Sequence, residues 1–246
     1  MSEPRPPDTQ TQAEAGGEES AAPQRRIRSY VRREGRMTDG QRSALEELWP
    51  LYGIDPPDAP PLDLAAIFGR EAPRVFEIGF GNGDHLLTRA AVEPQHDFIG
   101  VEVHRPGCGR VMMQAQKLGL RNLRVSSFDA VEVLRDWMPA GSLAEVVIYF
   151  PDPWHKSRHN KRRLVQPHFM PLVTRALASG GLLRMATDWA PYARHMLDVV
   201  GGVPELENLA PDGGYAPRAE TRPKTRFEAR GERLGHEVYD LLLRRR

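Results

Sequence analysis

The sequence has a single cysteine, no long apolar run and almost no net charge. Because Cys108 is the only cysteine among 246 residues, no disulfide can form within the chain. No apolar run approaches the ~20 residues that a membrane-spanning helix needs. The N-terminus is rich in proline and acidic residues and lacks the apolar segment of a secretory signal. These absences argue against a disulfide-stabilised secreted scaffold and a membrane protein, and they predict a cytoplasmic location.

The net charge of +1 conceals two regions of opposite sign. Residues 1–24 hold five acidic residues and one arginine, a local charge of −4, so the rest of the chain carries +5. Residues 1–24 also lack aromatic and branched aliphatic residues, and therefore cannot bury enough surface to offset the entropy of ordering. We predict a disordered tail over 1–24, a basic arm with an N-terminal helix over 25–61, and one α/β domain over 62–246.

The basic arm begins with six arginines within residues 25–36. Its composition fits either a solvated arm or an arm that contacts phosphates, with aromatic and apolar residues among the bases. Thr38 followed by Gln41 has the spacing of a capping box and predicts a helix that continues to Trp49. We expect Pro50 and the proline-rich segment after it to end this helix.

Beyond the arm, strand-like and helix-like segments alternate. The predicted strands are 74–79, 97–102, 122–126, 143–150, 181–187, a weak one at 205–209, and 236–243. The predicted helices are 63–68, a helix that ends at 91, 107–117, 130–137, 164–178 and 189–200. This alternation predicts an α/β fold with a doubly wound, mostly parallel, seven-stranded sheet of the Rossmann-like type.

Acidic residues stand at or just beyond the ends of five predicted strands. They are Glu77, Glu102, Asp129, Asp152 and Asp188. In open α/β sheets, ligands bind at this edge, and an acid in the place of Glu102 hydrogen-bonds the ribose of a nucleotide cofactor. Asp129 can bind an adenine amino group or cap the next helix. The sequence therefore predicts a nucleotide cofactor site at this edge.

The glycines after the first strand indicate which nucleotide. Gly79 and Gly81 allow a tight turn and a close approach of the backbone to a ligand. The dinucleotide pattern G-x-G-x-x-G requires a glycine at 84, where this chain has Asp84. S-adenosylmethionine carries an α-amino group and a sulfonium but no pyrophosphate. An acid-lined edge, with Glu77 two residues before the first glycine, therefore suits S-adenosylmethionine better than NAD.

A basic loop follows the fourth predicted parallel strand, which ends at Pro151-Asp152-Pro153. Its cations are Lys156, Arg158, Lys161, Arg162 and Arg163. A run of charge is usually a solvated surface, but this one leaves directly from the predicted cofactor edge. We predict that it binds the phosphates of a polyanion, and that salt weakens the binding steeply.

Aromatic and imidazole rings accompany the basic loop. Trp154 can stack on a base or can anchor the loop by packing. His155 and His159 are four residues apart, but no third residue of metal-ligand type stands near them. We therefore expect no metal site here.

Five segments form a recognisable combination. They are Glu77-Ile-Gly-Phe-Gly-Asn-Gly-Asp84, Gly100-Val-Glu-Val-His104, Phe150-Pro-Asp-Pro-Trp-His-Lys156, Ala186-Thr-Asp-Trp189 and Thr225-Arg-Phe-Glu-Ala-Arg-Gly231. Together they resemble the bacterial tRNA (guanine-N7-)-methyltransferase family, over about residues 29–243. The resemblance implies a class I methyltransferase fold, S-adenosylmethionine as cofactor, and methylation of guanosine 46 in the variable loop of tRNA.

The resemblance also implies roles for matching residues. With the glycine turn, it places the cofactor against Glu77, Gly79, Gly81, Glu102, Asp129 and Asp152. It places the guanosine against Lys156, Asp188, Thr225, Arg226, Phe227 and Glu228. It places the RNA against Arg158, His159, Asn160, Lys161, Arg162 and Arg163. The family usually has lysine where this chain has Arg226, a change that matters only if a compact ammonium is needed there.

The predicted chemistry is methyl transfer to a nitrogen that carries no proton. Guanine N7 needs no general base, so we expect Asp152 to orient the base or to favour the positive charge that develops on it. The alternatives are a class I methyltransferase for another RNA or a small molecule, and an RNA-binding protein that keeps the fold without catalysis. The glycine spacing disfavours an NAD-dependent dehydrogenase. No obligatory protein partner is expected, because one chain carries both cofactor and RNA elements.

Overall fold

The computed structural model describes residues 29–30, 36–219, 222, 228 and 237–246. The predicted tail over 1–24 and most of the arginine-rich segment over 25–36 lie outside these residues, as do Thr225, Arg226 and Phe227. Within the described ranges, none of the helices combines the length and the apolar character required of a membrane-spanning segment.

Strands and helices alternate through the described residues. The strands are β1 (Arg74–Ile78), β2 (Asp97–Val101), β3 (Leu123–Ser126), β4 (Leu143–Tyr149), β5 (Leu177–Thr187), β6 (Leu206–Asn208) and β7 (Tyr239–Arg245). The α-helices are α1 (Asp39–Glu47), α2 (Trp49–Tyr52), α3 (Leu64–Phe68), α4 (Asp84–Val92), α5 (Arg105–Lys117), α6 (Ala130–Glu132), α7 (Met170–Ala176) and α8 (Ala190–Gly201). A π-helical turn (Val133–Trp137) extends α6, and a 3-10 helix (Ser157–Arg162) follows β4.

The seven strands form one sheet in the order β3-β2-β1-β4-β5-β7-β6. The strands from β3 to β5 are parallel, whereas β7 is antiparallel to both of its neighbours. The direction of winding reverses between β1 and β4. At such a switch point the loops beyond two adjacent strands diverge and leave a crevice at their carboxyl ends. The predicted α/β fold is confirmed.

The sheet is covered on both faces, because alternate strand residues enter two different cores. Phe76 and Ile148 belong to one core, with residues of α3, α7 and α8. Val75 and Val147 belong to the other, with residues of α1, α4 and α5. Burial on both faces explains why the parallel strands read as continuous apolar runs in the sequence.

The N-terminal helix begins as predicted but ends earlier. The Thr38 hydroxyl accepts a hydrogen bond from the Gln41 amide (3.2 Å), and the Gln41 side chain accepts one from the Thr38 amide (2.9 Å). This capping box confirms the predicted start of α1. Pro50 does not end a helix, since it lies in the first turn of α2, where a proline needs no hydrogen bond from its nitrogen.

The predicted helix over 164–178 is wrong in its first half. The Val165 amide donates to the Tyr192 hydroxyl (3.2 Å), and the Val165 carbonyl lies 2.9 Å from His195 Nε2. Pro167 also lacks the N–H that a helix interior requires. The helix therefore begins only at Met170, and β5 starts directly after it at Leu177, four residues earlier than expected.

Candidate active site

A cavity of about 580 Å³ opens at the carboxyl ends of the central strands. Residues beyond β1, β2, β3 and β4 line it, among them Gly79, Glu102, Asp129 and Asp152. Ser29 and Tyr30, far earlier in the chain, contribute to the same lining. The volume lies within the range of small-molecule sites. Four of the residues predicted to bind a cofactor are thus brought together around one space.

The glycine turn after β1 depends on backbone conformations that other residues rarely adopt. Gly79 and Gly81 have φ values of +73° and +56°. A Cβ added to either would meet nothing within 4 Å, so their open side is available to a ligand. A Cβ on Gly107, in α5, would lie 2.5 Å from the Gly81 carbonyl oxygen. The close packing of α5 against the turn therefore requires glycine at position 107.

Glu102 ties the end of β2 to the glycine turn. One carboxylate oxygen accepts a hydrogen bond from the Gly81 amide (3.0 Å) and the other from the His104 amide (2.9 Å). The side chain also lines the cavity. The position predicted for a ribose-binding acid therefore fixes the shape of the turn as well.

Glu77 lies beneath the turn rather than in the cavity lining. It is 4% exposed, and its Oε2 is 2.7 Å from Nδ1 of His85. The His85 ring in turn contacts Tyr149 edge to face, with centroids 5.0 Å apart. Sequence reasoning did not include His85. In the sequence, the only feature that could have indicated a role for His85 is its position in the first turn of the helix that follows the glycines.

Asp129 caps the next helix and also lines the cavity. Its Oδ1 accepts a hydrogen bond from the Val131 amide (2.9 Å), which caps α6. The residue also lines the cavity. Capping leaves the second carboxylate oxygen available to a ligand.

Asp152 lies in a strained turn at the mouth of the cavity. Phe150 and Trp154 have φ values of +51° and +47°, and no other non-glycine residue of the described chain has a left-handed φ. Each such residue costs roughly 1–2 kcal/mol. Asp152 lies midway between them, exposed and lining the cavity. Strain of this kind persists where the surrounding structure imposes it, commonly at functional sites.

Trp154 anchors the turn and the basic loop behind it. Its indole N–H donates to the Ser29 carbonyl (3.1 Å). The Arg162 guanidinium lies over its ring at 4.2 Å, and the His159 ring contacts it edge to face at 5.8 Å. These contacts support the packing interpretation of Trp154. Desolvation and the charges of nearby cations such as Arg158 lower the pKa of His159, which keeps its imidazole neutral near pH 7.

The residues of the basic loop differ in exposure. Lys156, Arg158 and Lys161 are exposed, and Asn160 is half-buried. Arg163 is instead 6% exposed. Its Nε donates to the Pro153 carbonyl (2.9 Å), and its guanidinium lies 4.8 Å from the centre of the Tyr192 ring. The RNA contact predicted for Arg163 is therefore corrected: this side chain holds the two ends of the loop together.

Of the residues predicted to bind guanosine, those that the structure describes lie in two places. Lys156 directly precedes the 3-10 helix as its N-cap residue, and Asp188 is half-buried directly after β5. The next residue, Trp189, contacts the His155 ring at 4.5 Å, and His155 lines the cavity. Glu228 is 1% exposed and pairs with two arginines, so in this structure its carboxylate faces protein rather than the cavity.

The charges around Glu228 form a set at the same edge that is buried apart from the exposed Arg218. Arg222 pairs with Glu228 (2.9 Å) and with Asp240 of β7 (3.0 Å), and Arg218 pairs with Glu228 (2.9 Å). Burial raises the pKa of Asp240, and Arg222 opposes the shift. Burial also raises the pKa of the Tyr149 hydroxyl, which keeps it neutral. Sequence reasoning missed Arg222, whose signal was only its place in an arginine-rich segment.

The chain is similar to known methyltransferases along most of its length. Residues 71–241 match the family described as "Putative methyltransferase". A tRNA (guanine-N(7)-)-methyltransferase of Serratia proteamaculans (strain 568) is 53% identical over 229 residues, 93% of this chain and 95% of the relative. A protein of the same name from Sodalis glossinidius (strain morsitans) is 56% identical over 218 residues, 89% of this chain and 91% of the relative.

Solved structures support the fold at lower identity. The 16S rRNA (adenine(1408)-N(1))-methyltransferase from Catenulisporales acidiphilia has a TM-score of 0.54 and 16% identity, over 79% of this chain and 97% of that chain. The antibiotic-resistance methyltransferase Kmr has a TM-score of 0.51 and 16% identity, over 79% and 98%. Likeness at this level shows the fold alone. The relatives that are more than half identical along nearly their whole length show more: the chain belongs to the tRNA (guanine-N(7)-)-methyltransferase family.

Proposed function

We propose that the protein transfers the methyl group of S-adenosylmethionine to N7 of guanosine 46 in the variable loop of tRNA. The observation that carries this proposal is the position of Asp152, exposed in a strained turn between the cavity and the basic loop. The names of the relatives support the tRNA guanine as substrate. In this proposal, residues 62–246 form the methyltransferase domain, and 25–61 form the basic arm and N-terminal helix.

The residues around the cavity fit S-adenosylmethionine. Glu102 and Asp129 offer carboxylate oxygens suited to ribose hydroxyls and an adenine amino group. Gly79 and Gly81 leave their backbone open on the ligand side. Glu77, below the turn, contributes negative charge that favours a cationic ligand. When bound, S-adenosylmethionine supplies an electrophilic methyl group on a sulfonium.

The protein's contribution to the reaction is positioning and electrostatics. Guanine N7 offers a lone pair and carries no proton, so no side chain has to remove one. The base must be held so that N7 meets the methyl group in line. The Asp152 carboxylate stands at the mouth of the cavity, where it can orient the guanine and stabilise the positive charge that develops on the ring.

The exposed cations beyond Asp152 give the site its affinity for RNA. Lys156, Arg158 and Lys161 project from one short 3-10 helix and its first flanking residue. Backbone phosphates bind such groups without regard to sequence, and they position the RNA rather than read its bases. We assign these three residues to the tRNA backbone or the target nucleotide.

The test is methyl transfer from labelled S-adenosylmethionine to an unmodified tRNA transcript, followed by identification of the product nucleoside. We expect 7-methylguanosine, and we expect it to disappear when guanosine 46 is replaced by adenosine. Transfer that continues after this replacement would contradict the proposed position. Cofactor binding without transfer to any tRNA would contradict the proposed substrate.

A further inference from the structure

Arg222 is among the largest fully buried side chains of the described residues. A single nitrogen, Nη2, lies 2.9 Å from Glu228 Oε1 and 3.0 Å from Asp240 Oδ2. The guanidinium carbon lies 5.5 Å from the ring centroids of both Tyr149 and Phe150. One buried cation therefore joins two carboxylates from the C-terminal part of the chain to the end of β4.

The rings explain how a fully buried arginine is tolerated here. Its Nε and Nη1 have no hydrogen-bond partner, and the guanidinium lies over two aromatic rings, whose electron-rich faces attract cations. The two positive charges of Arg218 and Arg222 balance the two negative charges of Glu228 and Asp240. Arg222, Glu228 and Asp240 are buried, so removing one of them leaves another buried charge uncompensated, and this favours the single arrangement of the three.

Phe150 connects this set to the reacting groups. It is the left-handed residue that starts the turn, two positions before Asp152. Its amide donates to the Ala186 carbonyl (2.8 Å), so its backbone is held to β5 while its ring is held by Arg222. The direction in which the turn leaves β4 therefore depends on both contacts.

We propose that Arg222 is a positioning residue for methyl transfer, an inference that rests on the proposed function. Its guanidinium contacts both the Glu228 carboxylate and the Phe150 ring. Glu228 and the turn that carries Asp152 thereby keep one relative geometry. Arg222 lies outside the cavity lining and acts on the reacting groups through these neighbours.

The first test is Arg222→Met in the full chain, which keeps the long stem and removes the guanidinium. We expect kcat/KM for tRNA to fall about 100-fold, because misplacement of reacting groups by about 1 Å has effects of this size. The Kd for S-adenosylmethionine, measured by calorimetry, should stay at the wild-type value. Arg222→Lys keeps the charge but cannot reach both carboxylates and both rings, so it should restore only part of the activity.

Arg89→Met is the matched control. Arg89 is also buried, pairs with the carboxylates of Glu93 and Glu145, and lies 5.5 Å from the centre of the Phe98 ring, but away from the cavity. We expect it to lower the Tm as Arg222→Met does while keeping wild-type kcat/KM. If both variants lose activity in proportion to their loss of Tm, Arg222 has a structural role only and the inference is overturned.

A double-mutant cycle with Glu228→Gln gives the second test. If Arg222 acts through Glu228, the double variant should be little slower than Glu228→Gln alone. Losses in kcat/KM that multiply would overturn the inference. If Arg222→Met does not fold, Arg222→Lys enters the same cycle. A wild-type chain that makes no 7-methylguanosine would defeat the proposed function, whereas an active wild type with multiplying losses would defeat this inference alone.

Discussion

One acidic residue lies near the start of strand β4 and another lies just beyond its end, and the two differ in burial and in pairing. Glu145, near its start, is buried and paired with Arg89 (2.7 Å) and Arg184 (3.0 Å). Asp152, three residues beyond its end, is exposed in a turn between two left-handed residues. At β4, the charge near the amino-terminal edge is thus neutralised within the protein, whereas the charge beyond the carboxyl-terminal end faces a cavity.

This difference separates stability from function within one sheet. A buried ion pair that loses one partner destabilises the fold strongly. A carboxylate at a cavity contributes little to folding, and the turn that holds it carries backbone strain. We therefore expect substitutions of the buried, paired charges to change mainly the free energy of unfolding, and those of the charges that face the cavity to change mainly binding and catalysis.

We expect the largest difference between an effect on catalysis and an effect on stability when Asp152→Asn is compared with Glu145→Gln. Asp152→Asn removes a charge that faces the reacting base, so kcat should fall about 100-fold or more with little change in unfolding. Glu145→Gln leaves Arg89 and Arg184 without their shared charge and should lower the free energy of unfolding by about 3 kcal/mol with kcat retained. Steady-state methylation and urea denaturation measure the two quantities. Similar losses of kcat in both variants would break the comparison.

The exposed cations provide a second comparison. Arg158→Ala combined with Lys161→Ala should weaken tRNA binding, and should make the slope of log Kd against log salt shallower by about one for each residue. Arg244→Ala is the control, because Arg244 is exposed and paired with Glu207 at the amino-terminal edge. Filter binding over a range of salt concentrations measures the slopes. An unchanged slope in the double variant would remove the loop from the tRNA interface.

The strands and the acidic edge could be predicted because their signals are local. Parallel strands buried on both faces appear as apolar runs, and the acids that follow Val101 and Thr187 sit directly beyond such runs. The capping box of α1 is equally local, since both partners lie within one turn. Such short-range patterns involve only neighbouring residues, so they can be recognised without knowledge of the tertiary structure.

The remaining features depend on partners distant in sequence. In the sequence, Arg163 and Arg158 are equivalent members of one basic run. Arg163 is nevertheless buried, because its guanidinium packs against the ring of Tyr192, 29 positions later. Arg222 lies against Phe150, 72 positions earlier. No periodicity or spacing encodes such contacts. Sequence alone therefore predicted the acidic edge that lines the cavity, but it could not separate exposed residues such as Arg158 from residues such as Arg163 that hold the loop together.

Two glycines with similar left-handed backbone conformations are expected to show a smaller effect on substitution. Gly81 (φ +56°) lies in the turn at the cavity, and Gly119 (φ +66°) precedes β3 at the amino-terminal edge. Neither would have a Cβ clash, so each change to alanine should cost about 1 kcal/mol of unfolding free energy. Only Gly81→Ala should also weaken S-adenosylmethionine binding, by roughly 10-fold, or about 1.4 kcal/mol. Equal cofactor Kd values for the two variants, by calorimetry, would contradict the assigned turn.

The smallest expected effect concerns pH: the contributions of two carboxylates to stability should change in opposite directions on acidification. The hydrogen bond from Arg89 lowers the pKa of Glu93 below its ordinary 4.5, against the effect of burial, so its contribution to stability is lost as pH falls below about 4.5. Burial raises the pKa of Asp240 above its ordinary 3.8, so its contribution is present at low pH and is lost as pH rises through the folded-state value. Urea denaturation between pH 3 and pH 7 should therefore show that Glu93→Gln reduces the loss of stability on acidification, whereas Asp240→Asn increases it. Shifts of the same sign in both variants would show that the two edges do not differ in how they treat buried charge.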